Sequence, residues 1–236
     1  VTWDWPIGFS VVAVVLIGIF VGLVNAFFVL FFRIHSLIVT LGVGTFLNGM
    51  TLWLSNSRTI SGVSMDLVNL VVIQRFLGVP LAFYYGLGVA LVLWYALEYT
   101  SAGRKLLFVG RGRDVARLNG IKVERVRAAA FATSGGLSAV AAILYAGMTG
   151  SADPTSGLQL LLPAFAAAFL GATAIYPGRF NPIGTLIGVY FLITGITGLT
   201  MLGADAYVQS LFYGGALVVA VSLSQLVRNR QPQHFA

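Results

Sequence analysis

The side chains that could hold a ligand inside this chain are neutral amides and hydroxyls set within apolar runs. The best candidates for a substrate path are Asn25, Thr45, Asn48, Thr194 and Thr197. Such groups suit a neutral polyol, because each sugar hydroxyl must exchange water for a donor and an acceptor. The alternative is that they form interhelical hydrogen bonds, which contribute about 0.6 kcal/mol each to helix association. Both interpretations stay open, and Asn25 and Asn48 are the strongest candidates for a substrate contact.

Catalytic chemistry finds little support in these residues. The seven acidic residues all lie at the ends of apolar runs or between them, and no charge falls at a predicted bilayer centre. Because intramembrane ionisable residues are the usual mark of a proton or ion relay, a proton-coupled carrier is disfavoured. The sequence contains no P-loop, HExxH or GxSxG motif and no cysteine. We therefore expect a protein that is not an enzyme, with no cofactor and no metal site.

The composition indicates that membrane-spanning helices position these polar groups. Of the 236 residues 58% are hydrophobic and 9% are charged, whereas soluble proteins carry about 25% charged residues. This small number of charges could not cover a water-exposed surface. We therefore predict an all-α integral membrane protein. A helical crossing needs about 20 apolar residues. Seven runs reach or approach this length: 7–32, 37–54, 81–97, 128–145, 160–175, 183–201 and 208–227.

Three local features refine this prediction. Gly18 and Gly22 form a pair of small residues one turn apart, which would let another helix approach closely. Pro163 is expected in the first turn of its helix, where proline is tolerated. Residues 55–80 are mixed in character, and their apolar stretch 67–73 is too short to span a bilayer. We expect a loop with an interfacial or re-entrant helix there, on the outside.

Charge is concentrated in the segment 103–127. This segment holds eight of the fourteen Lys and Arg against Asp114 and Glu124, so it carries +6 of the formal +7. A basic segment between membrane spans is a cytoplasmic loop by the positive-inside rule. Parity over seven crossings then places twelve Lys and Arg inside and only Arg58 and Arg75 outside. The N-terminus of the chain is expected outside and its C-terminus in the cytoplasm.

Within this segment the local signals predict a short amphipathic helix over 115–119. Asp114 is expected to cap its start, and Gly120 to end it in the left-handed region. Val115 and Leu118 would share one face, with arginines around them: Arg111, Arg113 and Arg117. A helix of this kind across the end of a bundle suits docking into a groove of another protein. Contact of a solvated charge run with anionic lipid is the alternative.

The run TSAGRK, followed by VGRGRDVARLNGIKVERVR up to residue 127, resembles the cytoplasmic loop of the ribose/xylose-type ABC sugar permeases. These proteins form part of the branched ABC permease family. Further similarities follow the order of that family: GLVNAFFV (22–29), RIHSLIVTLG (33–42), GSADPTSG (150–157) and PGRFNPIGT (177–185). The loop is more basic at 110–113 than is usual there, and Leu162 stands where many relatives carry an acidic residue. The N-terminal spans of the family are expected to be missing from this chain.

The resemblance implies a single permease domain over 1–236, with a coupling loop at about 99–127, in the bacterial inner membrane. Such a subunit forms the translocation path of an ATP-driven importer of a ribose- or xylose-like monosaccharide. Its partners would be ATP-binding subunits that hydrolyse ATP, a periplasmic sugar-binding protein, a second permease subunit and membrane lipid, but no nucleic acid. The expected ATPase-coupling residues are Arg111, Arg113, Asp114, Val115, Arg117, Leu118 and Gly120. A stand-alone carrier or channel for a small neutral solute, and a membrane scaffold, are the alternatives.

Overall fold

The computed structural model describes residues 6–175 and 179–230, and the chain there is mostly helical. In chain order the elements are α1 (Ile7–Phe31), α2 (Ser36–Leu54), β1 (Ile60–Ser61), α3 (Met65–Val68) continued by a π-helical turn (Asn69–Ile73), β2 (Arg75–Phe76), β3 (Val79–Pro80), α4 (Leu81–Tyr99), α5 (Ser101–Arg111), α6 (Arg113–Leu118), α7 (Val123–Thr149), β4 (Ser151–Ala152), α8 (Ser156–Ala174), α9 (Pro182–Met201) and α10 (Ala206–Arg230). The strands form two short antiparallel pairs, β1 with β4 and β2 with β3.

The prediction of an all-α membrane protein is confirmed. Within the described ranges, α1, α2, α4, α7, α8 and α9 are long and apolar enough to cross a membrane, and α10 contains a shorter apolar stretch, Tyr207–Leu223. Large apolar side chains such as Leu16 and Phe20 on α1 are exposed on the helix surfaces. Exposed apolar side chains on such helices are what lipid contact requires, because hydrocarbon imposes no cost on them.

The chain forms two compact units, the first of which contains α1 to α3, α5 to α7 and the strands. Its most extensive contact runs between α1 and α7. A Cβ atom at Gly18 would lie 2.5 Å from the carbonyl oxygen of Gly135 and 2.7 Å from the Cβ of Ala139. Gly22 faces the backbone of Phe131 in the same way. The predicted close approach at Gly18 and Gly22 is therefore confirmed, and α7 is the helix that makes it.

The far end of α7 is covered by the segment between α2 and α4. Val71 in the π-helical turn is buried, and its side chain would meet a Cβ at Gly147 at 2.8 Å. The pairing of β1 with β4 holds Ile60 opposite Ala152 on the same side. Ser64 begins α3 by accepting a hydrogen bond from the backbone N–H of Asp66. The short helix predicted in this segment is therefore present, and it packs on α7.

The second unit contains α8, α9 and α10 together with Leu87–Tyr95 of α4. Its core is built on Ala166 and Ala167 of α8 and Leu192 of α9, with aromatic side chains of α10 packed around them. Asn181 caps α9, with its side-chain Oδ1 accepting from the N–H of Gly184 and its Nδ2 donating to the carbonyl of Gly171 at 3.3 Å. Asparagine before proline is a strong signal for a helix start.

Two details of the predicted elements are wrong. α8 begins at Ser156 rather than at residue 160, so Pro163 lies inside the helix and not in its first turn. The helix includes residues 156–159 ahead of the apolar run, because a helix that begins outside the hydrocarbon tolerates the polar Ser156 and Gln159. The segment 103–127 is also largely helical, because α5, α6 and the first turn of α7 fill it.

The contact between α1 and α7 predicts opposite effects for the same substitution at two glycines of α1. Gly18→Ala should lower the midpoint of thermal unfolding in detergent, because overpacking typically costs about 1–3 kcal/mol. Gly8→Ala should leave it unchanged or raise it, because nothing lies within 4 Å of the added methyl group. Alanine is also the better helix former by about 1 kcal/mol. Equal shifts in the two variants would show that the contact is not tight.

Candidate functional site

The candidate coupling region begins with a sharp corner between α4 and α5. Thr100 is extended, and its side-chain oxygen accepts a hydrogen bond from the N–H of Gly103 at 3.2 Å, which caps α5. A Cβ at Gly103 would lie 2.5 Å from the Cα of Leu97, so only glycine fits this corner. No helix was predicted over Ser101–Arg111, where the structure has α5. A signal for it was present, because Thr100 precedes apolar residues at helical spacing: Gly103, Leu106, Leu107 and Gly110.

The C-terminal end of α6 is as predicted at Gly120, but its N-terminal end is not. Gly112 occupies the N-cap position, and Asp114 lies inside the first turn without capping it. The prediction for Asp114 is therefore wrong, although its negative charge still favours this helix end. Gly120 has a φ angle of 74°, as expected. Its N–H donates to the carbonyl of Arg117, and the N–H of Ile121 donates to that of Ala116, which is a Schellman ending.

A small buried cluster fixes α6 against its neighbours. Val109 of α5, Ala116 of α6 and Val123 of α7 are all buried and pack together. Because Ala116 faces this cluster, Val115 and Leu118 face away from it, with 59% and 88% of their surfaces exposed. Val115 and Leu118 are therefore exposed aliphatic side chains on a helix whose other side packs against α5 and α7.

The charged residues around α6 are arranged asymmetrically. Arg117 forms an ion pair with Glu124 of α7, which ties the last turn of α6 to the start of the next helix. Arg113 lies one turn earlier on the same face and lines the same groove as Arg117. The side chain of Arg111 lies outside the described part of the structure. Of the predicted coupling residues, Val115 and Leu118 therefore share one surface, while Arg113 and Arg117 share another.

A cavity of about 430 Å³ with a mostly apolar lining lies along the contact between α1 and α7. Asn25 lines it together with Thr40 of α2 and Ser134 and Ser138 of α7. The side-chain oxygen Oδ1 of Asn25 is buried and accepts no hydrogen bond from the described residues. Leaving a buried acceptor without a donor costs about 1–3 kcal/mol. A solute hydroxyl or water in the cavity would supply the missing donor.

The second asparagine has a structural partner. Asn48 donates from Nδ2 to the carbonyl oxygen of Pro154 at 2.9 Å, which ties α2 to the loop after β4. That loop is itself ordered by Asp153, whose Oδ1 accepts from the N–H and hydroxyl of Thr155 at 2.7 and 2.8 Å. These hydrogen bonds lower the pKa of the Asp153 carboxyl. The position of Asn48 thus favours the structural role that the sequence left open.

The predicted threonines are not gathered at one place. Thr45 lies exposed on α2 and donates its hydroxyl to the carbonyl of Leu41 at 2.9 Å. Thr194 and Thr197 lie exposed on α9, in the second unit. The structure brings Asn25 together with Thr40, which was not among the predicted site residues. In the described residues no three His, Cys, Asp or Glu side chains lie close enough to hold a metal ion.

The sequence matches a known family of membrane proteins over most of its length. The family described as "Branched-chain amino acid transport system / permease component" matches residues 2–221. The chain belongs to this permease family. The match extends over α1 to α9 and most of α10, so the exposed face of α6 and the cavity beside Asn25 are both features of a permease.

Individual members of the family give finer similarities. The D-allose transport system permease protein AlsC of Escherichia coli K12 is 30% identical over 213 residues, which cover 90% of this chain and 65% of that protein. The autoinducer 2 import system permease protein LsrD of the same strain is 33% identical over 235 residues, covering 96% of this chain and 70% of that protein. LsrD of Shigella flexneri shows the same identity and coverage. The chain thus spans about two thirds of these relatives. No solved structure matches it.

Proposed function

We propose that this chain is the membrane-spanning permease subunit of an ATP-driven importer that carries a ribose- or xylose-like monosaccharide. Its family and its relatives for D-allose and autoinducer 2 support an ABC sugar permease. The chain would act as a single permease domain in the bacterial inner membrane, with an ATP-binding subunit, a periplasmic sugar-binding protein and a second permease subunit. The partner chains, rather than this one, would hydrolyse ATP.

The observation that carries this proposal is the exposed aliphatic pair on α6. Val115 and Leu118 project from a helix whose other side is buried at Ala116 and whose last turn is tied to α7 through Arg117. A partner that moves α6 would therefore move the start of α7 with it. Because α7 packs tightly along α1, such movement would reach the cavity beside Asn25. Alternating access then follows as a shift between two packings, driven by the different contacts that the ATPase makes with each.

The chemistry of the cavity supports a neutral substrate. Its polar groups are an amide and hydroxyls, with no charged side chain in the lining. A sugar hydroxyl can donate to Oδ1 of Asn25 and accept from a serine hydroxyl in the same cavity. A charged substrate would find no counter-ion there and would lose its hydration at a high cost. We therefore propose that Asn25 lies in the substrate path. Thr45, Thr194 and Thr197 stay predicted members of that path, whereas Asn48 is assigned the structural role of its hydrogen bond to Pro154.

The distribution of charge supports an orientation with the basic segment in the cytoplasm. Arg33 and the basic residues of α5 to α7 share one end of the first unit, while Arg58 and Arg75 lie in the segment that covers the other end of α7. We propose that α3 and the β2–β3 pair face outward. This orientation places the N-terminus outside and the C-terminus inside, although residues 1–5 and 231–236 fall outside the described residues.

The double substitution Val115→Glu and Leu118→Glu should reduce co-purification with the ATP-binding subunit by about tenfold or more, because docking would bury two carboxylates without a counter-charge. Membrane insertion should be unchanged, since both side chains are exposed. The matched control is Met65→Glu with Leu77→Glu, two exposed apolar residues of the segment between α2 and α4. Unchanged co-purification of the α6 variant would contradict the docking role, and equal loss in both variants would point to faulty insertion.

Asn25→Leu should abolish sugar uptake by the assembled importer while leaving its thermal stability unchanged or higher. The reason is that this change removes a buried acceptor that has no donor among the described residues. Asn48→Leu should instead lower the unfolding midpoint, because the hydrogen bond to Pro154 is lost. Uptake and thermal unfolding are measured on the same preparations. Full sugar uptake by the Asn25→Leu variant would contradict a place for Asn25 in the substrate path. Sugar flux through the wild-type chain without an ATPase would favour a stand-alone carrier.

The orientation is testable because the sequence has no cysteine. Ser101 on α5 and Ser61 on β1 are both exposed, so each can be replaced by cysteine singly. A membrane-impermeant maleimide added to spheroplasts should label Ser61→Cys at once and Ser101→Cys only after the membrane is permeabilised. The reverse pattern would overturn the proposed orientation.

A further inference from the structure

A groove of about 720 Å³ opens at the basic end of the first unit. It lies where α1 ends and α2 begins, next to α6 and the first turn of α7. The charged side chains in its lining are Arg33, Arg113, Asp114, Arg117, Glu124 and Arg127. They come from three separate stretches of the chain, the end of α1, α6 and the start of α7, so the groove is assembled by the fold rather than by one run of basic sequence.

The groove holds more positive charge than its own acids neutralise. Glu124 is engaged by Arg117 in the ion pair between α6 and α7. Arg33, Arg113 and Arg127 form no ion pair with a carboxylate of the described residues, and Asp114 is the acid that remains among them. Three arginines against one aspartate leave a formal excess of two positive charges. Arg127 is repelled by Arg113 and attracted by Glu124, and an anion placed between the two arginines would relieve their repulsion.

The groove sits where the apolar part of α1 ends. Val29 and Leu30 form an apolar wall of the groove, and the first charged residue after them is Arg33. The exposed phenylalanines at the end of α1 lie on the opposite face of that helix from Val29, Leu30 and Arg33: Phe27, Phe28, Phe31 and Phe32. The groove itself therefore combines arginine donors with the short apolar wall of Val29 and Leu30, at the end of a membrane-spanning helix.

We propose that this groove binds the headgroup of an anionic phospholipid from the leaflet on the side of the basic segment. Arginines present planar arrays of donors that match phosphate oxygens. Basic pockets between membrane helices on the cytoplasmic side are suited to anionic headgroups. The bound lipid bridges Arg33 at the end of α1, Arg113 on α6 and Arg127 on α7.

The groove is distinct from the surface proposed for docking. Arg113 and Arg117 lie one turn apart on the side of α6 that lines the groove, whereas Val115 and Leu118 are exposed elsewhere on the same helix. A protein partner seated on Val115 and Leu118 therefore leaves the groove accessible from the lipid side. For this reason the occupant is assigned as a lipid rather than as an acidic segment of the ATPase.

The experiment is native mass spectrometry of the full chain in detergent, with phosphatidylglycerol or phosphatidylcholine added at equal concentration. The test variant is Arg33→Gln with Arg127→Gln, which leaves the proposed coupling residues intact. Each arginine near an anionic surface is worth about fivefold in binding, so the variant should bind phosphatidylglycerol about 25-fold more weakly. The matched control removes two charges outside the groove, Arg104→Gln with Lys105→Gln, both exposed on α5, and should bind as the wild type does.

A second variant separates loss of the site from loss of folding. Arg33→Lys with Arg127→Lys keeps the charge and should retain most of the binding, whereas a misfolded chain would not be rescued. Equal losses in the test and control variants would overturn the proposal in favour of diffuse charge attraction. Equal binding of both lipids by the wild type would overturn it too. Displacement of phosphatidylglycerol by an equal concentration of inorganic phosphate would show a site for free anions rather than for lipid.

Discussion

The backbone-to-backbone contact between α1 and α7 at Gly18, Gly22 and Gly135 is the constraint on which the rest of the first unit depends. Without side chains between them the two helices approach closely along their length, and dispersion forces then act over the whole contact. The same contact sets the width of the cavity beside Asn25 and holds the end of α1 close to the start of α7. The cavity and the arginine groove are therefore two places along one helix pair.

The basic segment shows how charge and shape have separate roles in one stretch of chain. The membrane orientation proposed for it rests on the number of Lys and Arg, and exchanging one of these for another would change little. The shape of α6 depends instead on small residues that carry no charge. Ala116 allows the helix to sit against Val109 and Val123, and Gly120 allows it to end abruptly. These two residues, rather than the arginines, determine where Val115 and Leu118 point.

Sequence reasoning predicted the long helices well, because the thickness of a bilayer imposes a length and a polarity that composition reveals directly. It missed α5 because an amphipathic helix at the surface has the same charge density as a loop. It assigned the cap of α6 to Asp114 although Gly112 holds that position. Asn25 and Asn48 are one residue type in similar surroundings, yet Pro154 reaches only Asn48. Which of the two asparagines gains a hydrogen-bond partner depends on a contact between residues far apart in the sequence. No local sequence pattern predicts such a contact.

The pairing of α1 with α7 has a consequence for how the chain is made. About 90 residues separate Phe31 from Val123, so a ribosome needs roughly 5 to 20 s to reach the start of α7 after it has completed α1. During that interval the small-residue face of α1 and the amide of Asn25 meet lipid or an insertion factor instead of their final neighbour. Helix α1 is thus a late-pairing segment of the fold, because its main partner is made long after it.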